Sequence, residues 1–352
     1  MVQRSRPTMR DVAARAAVSL KTVSRVVNGE PTVGDDLVAR VRQAAADLDY
    51  RPNLAANLRG RRARPSIIGL LIQDVSNEFS ASIFRAVEDV AGAHGVQVLA
   101  SNLDEQAERE QALVASLVAR RVNGLVVVPA SCDHRYLQLE QAFGTPIVFL
   151  DRPPVRLPAD SVVSDNRAGA AAGVAHLLQA GHRRIGFLGE TPAHRPARLR
   201  YAGYLDALAA CGTRGAAGTA GAAGAVAAGP DPGLVRRGLD TEAAATAATL
   251  ELLEAEEPPT ALFAAHNRLT IGAVRGLRAL GLEHRIALVG FDDFTLADLL
   301  DPPVTVVAQD PATMGRLGAE LLFRRIRGWG GRPQRRIVPT RLVPRGSGEI
   351  SP

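Results

Sequence analysis

The chain is 352 residues long, 46% hydrophobic and carries a formal net charge of +6. That is apolar material for two or three folded units, and it excludes a disordered chain or a small disulfide-stapled scaffold. The charge is uneven: residues 1–64 hold 13 Arg and Lys against 6 Asp and Glu, and the remainder holds 29 against 30.

A basic module joined to a near-neutral body suits nucleic-acid binding, the bland alternative being a functionless arginine-rich tail. The N-terminal residues MVQRSRPTMRD contain no apolar leader. No apolar run approaches the ~18 residues of a membrane helix. A soluble, cytoplasmic protein without a membrane partner is therefore expected. Cys132 and Cys211 stand alone, without metal or redox spacing, and no Walker loop or nucleophile elbow occurs. Neither a metal, a cofactor nor an enzymatic activity is expected.

In chain order, Thr8 is a candidate N-cap, with Asp11 in the first turn of a short helix whose apolar residues are Val12, Ala13, Ala16 and Ala17. Val18-Ser19 breaks that pattern. Ser19 caps a second helix, which Asn28-Gly29 ends because both residues tolerate a left-handed backbone. A third helix is expected over 35–48. Two short helices, a tight turn and a closing third helix make a helix-turn-helix. Its second helix points Leu20, Lys21, Thr22, Ser24 and Arg25 outward and Val23 and Val26 inward. Outward hydroxyls and cations near a helix start reach base edges and phosphates in a major groove. Lys21 is the one lysine of the whole chain.

A basic linker over 59–65 leads to a body in which strand and helix patterns alternate. Strands are expected at 67–72, 96–100, 125–128, 147–150, 185–188, 261–264 and 286–289. Helices are expected at 79–94, 106–120, 166–180, 198–210 and 269–280. Alternation of this kind gives parallel sheets with helices on both faces. A second α/β run starting near Val162 implies two lobes with a cleft between them. Ligands bind beyond the carboxyl ends of such strands, where this chain places Asp74, Asp151, Asp292 and Asp293. Several carboxylates suit the directional hydroxyls of a sugar. The stretch 214–229 is low-complexity and is assigned no function.

The segment TMRDVAARAAVSLKTVSRVVNG resembles the LacI/GalR family of bacterial transcription regulators. Tyr50-Arg51-Pro52-Asn53 and the following LAANLRG resemble that family's hinge helix. Ser164-Asp165-Asn166-Arg167-Ala168-Gly169, Gly181-His182-Arg183-Arg184-Ile185-Gly186-Phe187, the helix around Arg200, and Val289-Gly290-Phe291-Asp292-Asp293 extend the likeness over nearly the whole chain. The resemblance implies an all-α helix-turn-helix domain followed by a two-lobed α/β domain like a periplasmic binding protein, with three crossings between lobes. The implied division is a DNA-binding domain over 1–50 and a hinge and linker over 51–64. An effector domain follows over 65–345, then a tail over 346–352. Lobe 1 would hold about 65–163 and 308–335, and lobe 2 about 164–307 and 336–345.

A homodimeric repressor on a near-palindromic operator is expected, with a sugar or sugar-like effector in the cleft. A purine is the rival effector, and a cytoplasmic sugar-binding protein without DNA function is the more distant alternative. Leu20, Lys21 and Arg25 are the expected base readers. Thr8, Arg10, Ser19, Thr22, Ser24 and Asn28 are expected near phosphates. Asn57 and Leu58 belong to the hinge, where an apolar wedge at Leu58 would kink the minor groove.

The expected effector contacts are Asp74, Phe79, Asp151, Arg200, His266, Asp292 and Gln309. Each has a second reading. Arg200 is otherwise a surface cation, Asp151 a turn residue, Phe79 a packing residue, and Asp292 an N-cap for a helix-like segment at 294–300. His266-Asn267 departs from the family's usual Asn-Asp, and no aromatic stands near Leu239-Asp240-Thr241.

Overall fold

The computed structural model describes residues 8–27, 33–48, 66–216 and 231–352. Asn28, Asn57 and Leu58, with the hinge and most of the low-complexity stretch, lie outside the described residues.

The N-terminal module has three helices: α1 (Met9–Ala16), α2 (Leu20–Val27) and α3 (Asp35–Asp47). Thr8 opens α1 with a capping box. Its hydroxyl accepts from the Asp11 amide at 3.4 Å, and the Asp11 carboxylate accepts from the Thr8 amide at 2.7 Å. Ala17 turns the chain into α2 in the left-handed region, at φ 51°. Ser19 caps α2 by accepting from the Thr22 amide at 3.1 Å. Val12, Ala13, Ala16, Val23, Val41 and Ala44 close a small core between the helices. Arg40 of α3 donates to the Ala16 carbonyl at 2.6 Å, covering an acceptor that the end of α1 leaves open.

The body carries two sheets. In lobe 1 the strands are β1 (Ile67–Ile72), β2 (Gln97–Asn102), β3 (Leu125–Val127), β4 (Ile147–Leu150), β5 (Asp160–Ser164) and β11 (Arg335–Val338). Their order is β11-β5-β4-β3-β1-β2, with every pairing parallel. Lobe 2 is built from β6 (Ile185–Gly189), β7 (Val235–Arg237), β8 (Ala261–Ala264), β9 (Ala287–Phe291), β10 (Thr305–Ala308) and β12 (Arg341–Val343). There the order is β12-β10-β9-β8-β6-β7, and β12 alone runs antiparallel.

Helices cover both faces of each sheet, which is why the strands read as unbroken apolar runs. Period 2 divides β1 between two cores. Ile68, Leu70 and Ile72 pack under α4 (Glu78–Ala93) and α11 (Pro311–Ile326), and Leu71 packs under α5 (Ala107–Ala119). In lobe 2, α7 (Asn166–Gln179) and α8 (Arg195–Ala216) cover one face. The other face takes α9 (Glu242–Leu253) and α10 (Asn267–Leu280). α7 and α8 pack very closely, since a Cβ at Gly203 would collide with the Arg167 carbonyl. That approach fixes the height of Arg200, one turn earlier on α8.

Three details differ from expectation. The last crossing falls between Val338 of β11 and Arg341 of β12, past the 335/336 division, because β11 completes the lobe 1 sheet against β5. The segment 346–352 is part of lobe 2: the Ser347 hydroxyl donates to the Leu288 carbonyl at 2.6 Å, and the Ile350 carbonyl lies 2.7 Å from His182 Nε2. Residues 214–216 continue α8.

Candidate nucleic-acid interface and interlobe cavity

On the helix-turn-helix, burial of Val23, with Val26 and Val27 packed on the same core, aims the opposite face of α2 outward. Leu20 is 43% exposed and Lys21 is exposed, while Thr22, Ser24 and Arg25 are half-buried. Thr8 and Ser19 already use their hydroxyls as caps, and the Thr22 hydroxyl sits 2.8 Å from that of Ser19. Arg10 is exposed at the start of α1. The hydrogen bonds from Thr8 hold the Asp11 carboxyl below its ordinary value. Arg40 and the left-handed turn at Ala17 were missed in the sequence, because a long-range cap and an alanine at positive φ leave no local signal.

The seven expected effector residues come together. Asp74, Phe79, Asp151, Arg200, His266, Asp292 and Gln309 all line one cavity of about 510 Å³ between the lobes. Arg200 is 3% exposed, so the surface-cation reading is corrected. Its Nε donates to Asn166 Oδ1 at 2.8 Å and its Nη1 to the Ala265 carbonyl at 2.8 Å. The same Nη1 stands 3.5 Å from Asp292 Oδ2, and the guanidinium lies 4.0 Å from the Phe291 ring centroid. Gln309 Nε2 donates to the other Asp292 oxygen at 2.5 Å. Asp292 does not cap 294–300, which forms turns; the Phe294 amide donates to Asp293 instead, at 3.0 Å. Asp293 turns away to Arg345, at 2.6 Å and 2.7 Å.

Asp151 is buried at 8% exposure and sits at φ 64° just after β4. Its Oδ1 has no partner among the described residues. Burial pushes its carboxyl above the ordinary value, and the charges of Arg152 and Arg200 oppose that rise only in part. His266 begins α10 as an N-cap: Nδ1 accepts from the Arg268 amide at 3.2 Å, which leaves Nε2 to carry the proton toward Glu190, 3.9 Å away.

The lobes also touch directly across this cavity. Arg268 Nη2 donates to Asp74 Oδ2, and Asn77 Nδ2 to Asn267 Oδ1 at 3.2 Å. Glu78 accepts from the Thr295 amide at 2.8 Å, and His194 Nε2 lies 3.4 Å from Glu105. The cavity residues Glu105, Arg152, Glu190, His194, Asp240 and Arg268 were not anticipated. Glu190 directly follows β6, so the strand-end rule that found Asp74, Asp151 and Asp292 applies to it equally. Arg152, next to Asp151, makes a two-point contact with Glu105 at 2.6 Å and 2.7 Å. His182 is structural, held between Thr260 and Ile350.

Residues 8–53 match the family described as bacterial regulatory proteins, lacI family, and residues 174–348 match a periplasmic binding protein-like domain. The ribose operon repressor of Halalkalibacterium halodurans is 31% identical over 340 residues, spanning 96% of each chain. The chain belongs to the lacI family of bacterial regulatory proteins. The chain is similar to a transcriptional regulator CelR–cellobiose complex with a TM-score of 0.68 at 31% identity, covering 97% of this chain and 100% of that one. A lac repressor dimer bound to operator and the anti-inducer ONPF gives a TM-score of 0.68 at 28% identity, over 97% and 99%. The protein is accordingly a DNA-binding transcription regulator and not an enzyme. Among the described residues no helix is long and apolar enough to cross a membrane.

Proposed function

We propose that this regulator is a cytoplasmic, homodimeric repressor whose hold on a near-palindromic operator is set by a sugar-like effector between its lobes. The observation that carries the reading is the convergence of seven strand-end and helix-start side chains on one interlobe cavity, in a chain that begins with a helix-turn-helix. α2 enters the major groove. Leu20, Lys21 and Arg25 meet base edges, and Thr8, Arg10, Ser19, Thr22 and Ser24 meet or orient toward phosphates. Asn28 joins the phosphate set, and Asn57 and Leu58 serve the minor groove. Names among the relatives, a ribose operon repressor and a cellobiose complex, support a sugar. Against a purine, Phe79 is the one Phe, Tyr or Trp in the cavity lining, opposite polar and aliphatic groups.

Effector binding works on the lobes through unequal affinity for their two arrangements. The cross-lobe contacts of Asp74, Asn77, Glu78 and Glu105 are the ones that such a shift makes or breaks.

The test selects operator sequences from a random DNA pool with the full chain, then measures anisotropy titrations with and without ribose and cellobiose. A two-fold-related consensus whose affinity changes with a sugar is expected. Binding without sequence preference would sink the repressor reading.

A further inference from the structure

The cavity lining holds seven carboxylates against three arginines. Each arginine is already engaged. Arg152 grips Glu105 at two points and donates to the Pro129 carbonyl at 3.0 Å. Arg268 grips Asp74 across the lobes. Arg200 faces Asp292 and spends its remaining bonds on Asn166 and Ala265. Of the other carboxylates, Asp104 pairs with Arg109 at 2.6 Å. Asp151 shares Arg152, whose Nε stands 3.6 Å from its Oδ2, and among the described residues Glu190 and Asp240 pair with no arginine.

The histidines do little to offset this excess. Burial and the charge of Arg152 hold His194 below its ordinary value, and His266 Nδ1 is taken up by the Arg268 amide at the start of α10. Asp151, nine-tenths buried with Oδ1 unpartnered, is aimed at the same space.

We infer that the cavity is built for a hydroxyl-rich ligand that is uncharged or carries an amine, and that it rejects sugar phosphates and sugar acids. Glu190 and Asp240 set that selectivity. The inference rests on the effector reading above and narrows it to a class. A carboxylate only accepts hydrogen bonds, so this wall answers ligand O–H and N–H groups. A ligand anion would be brought out of water beside carboxylates of the same sign. No guanidinium is left to receive it unless an existing pair is broken.

The experiment is isothermal titration calorimetry of the full chain with matched probes. These are glucose, galactose, ribose and cellobiose, then glucosamine and galactosamine, then glucose 6-phosphate, galactose 6-phosphate, ribose 5-phosphate, glucuronate and galacturonate. The parent sugar that binds is expected to bind at least tenfold tighter than its phosphate or acid, and no more than a few-fold tighter than its amine. An anionic probe that binds as tightly as its parent overturns the inference and leaves the effector reading intact. In an E190Q/D240N variant the parent-to-anion ratio should fall at least fivefold. An unchanged ratio removes Glu190 and Asp240 from the selectivity. Failure of every probe, with operator binding retained, overturns the sugar-effector reading and this inference with it.

Discussion

Replacing Arg200 with alanine removes the central brace of lobe 2. The side chain is 3% exposed, and its guanidinium joins α7 through Asn166 to the residues that follow β8 and β9, Ala265 and Asp292, over the face of Phe291. Its loss leaves the carboxylate of Asp292, 4% exposed, with Gln309 as its remaining side-chain partner among the described residues. Breaking a buried pair by deleting one member costs about 3–5 kcal/mol, because the remaining charge stays desolvated. For a body of this size that corresponds to a melting temperature roughly 10 °C lower. The helix-turn-helix has its own core. Below the transition, operator binding should therefore persist while the response to effector is lost. The decisive assay is a double-mutant cycle with Asp292→Asn, followed by thermal unfolding. The Arg200→Ala/Asp292→Asn protein should lose less than the sum of the single changes, with a coupling of about 1–3 kcal/mol. A drop under about 2 °C for Arg200→Ala, together with strict additivity, would refute the brace.

Arg25→Ala should weaken specific operator binding by about 1–3 kcal/mol, roughly 10- to 100-fold, and relax base preference while sugar binding is kept; anisotropy on cognate and scrambled operators measures it. Ala17→Gly relieves an alanine held at φ 51°. It should stabilise the N-terminal module by up to about 1 kcal/mol, seen as slower amide exchange in α1 and α2. Asp151 titrates above its ordinary value, so between that value and the raised one the folded protein binds more protons than the unfolded chain. Stability must therefore fall as pH rises through this window. Asp151→Asn should remove that part of the fall, so its gain over wild type grows with pH and then levels. Urea midpoints from pH 4 to 8 check this, and a gain that shrinks as pH rises would contradict the assignment.

The sequence was most readable where burial or local chemistry governs position. Strands buried on both faces are continuous apolar runs, so β1, β4 and β8 were found at their observed positions. The carboxyl ends of β1, β4 and β9 then pointed to Asp74, Asp151 and Asp292. The edge strands β7 and β11 gave no such signal. β7 is three residues, VRR, and β11 reads RRIV with three exposed positions, so neither resembles a core strand. Several cleft residues missed are defined by distant partners: Arg268 meets Asp74 in the other lobe, across 194 positions of sequence. Arg152 and Glu105 pair within lobe 1, yet 47 positions apart. Spacing along the chain carries no trace of such pairs, because they are set by which strand ends the fold brings together, within a sheet or between two.

The two lobes share a local device that they use unequally. Asp151 after β4 and Asp292 after β9 both adopt the left-handed region, at φ 64° and 72°. Each sends its amide to the neighbouring strand at 2.9 Å, to Val162 in β5 and to Val307 in β10. Aspartate is among the few non-glycine residues that tolerate this backbone, and the strain of about 1–2 kcal/mol persists because the strand pairing on both sides fixes it. The effect is to turn a carboxylate into the cavity from each lobe. In lobe 2 that carboxylate is locked by Arg200 and Gln309; in lobe 1 it keeps an oxygen without a partner. A ligand that bonds to both therefore gains more on the lobe 1 side, where a desolvated acceptor has gone unsatisfied, than on the lobe 2 side, where it adds to a closed network. That difference is what a binding event needs in order to favour one lobe arrangement over another.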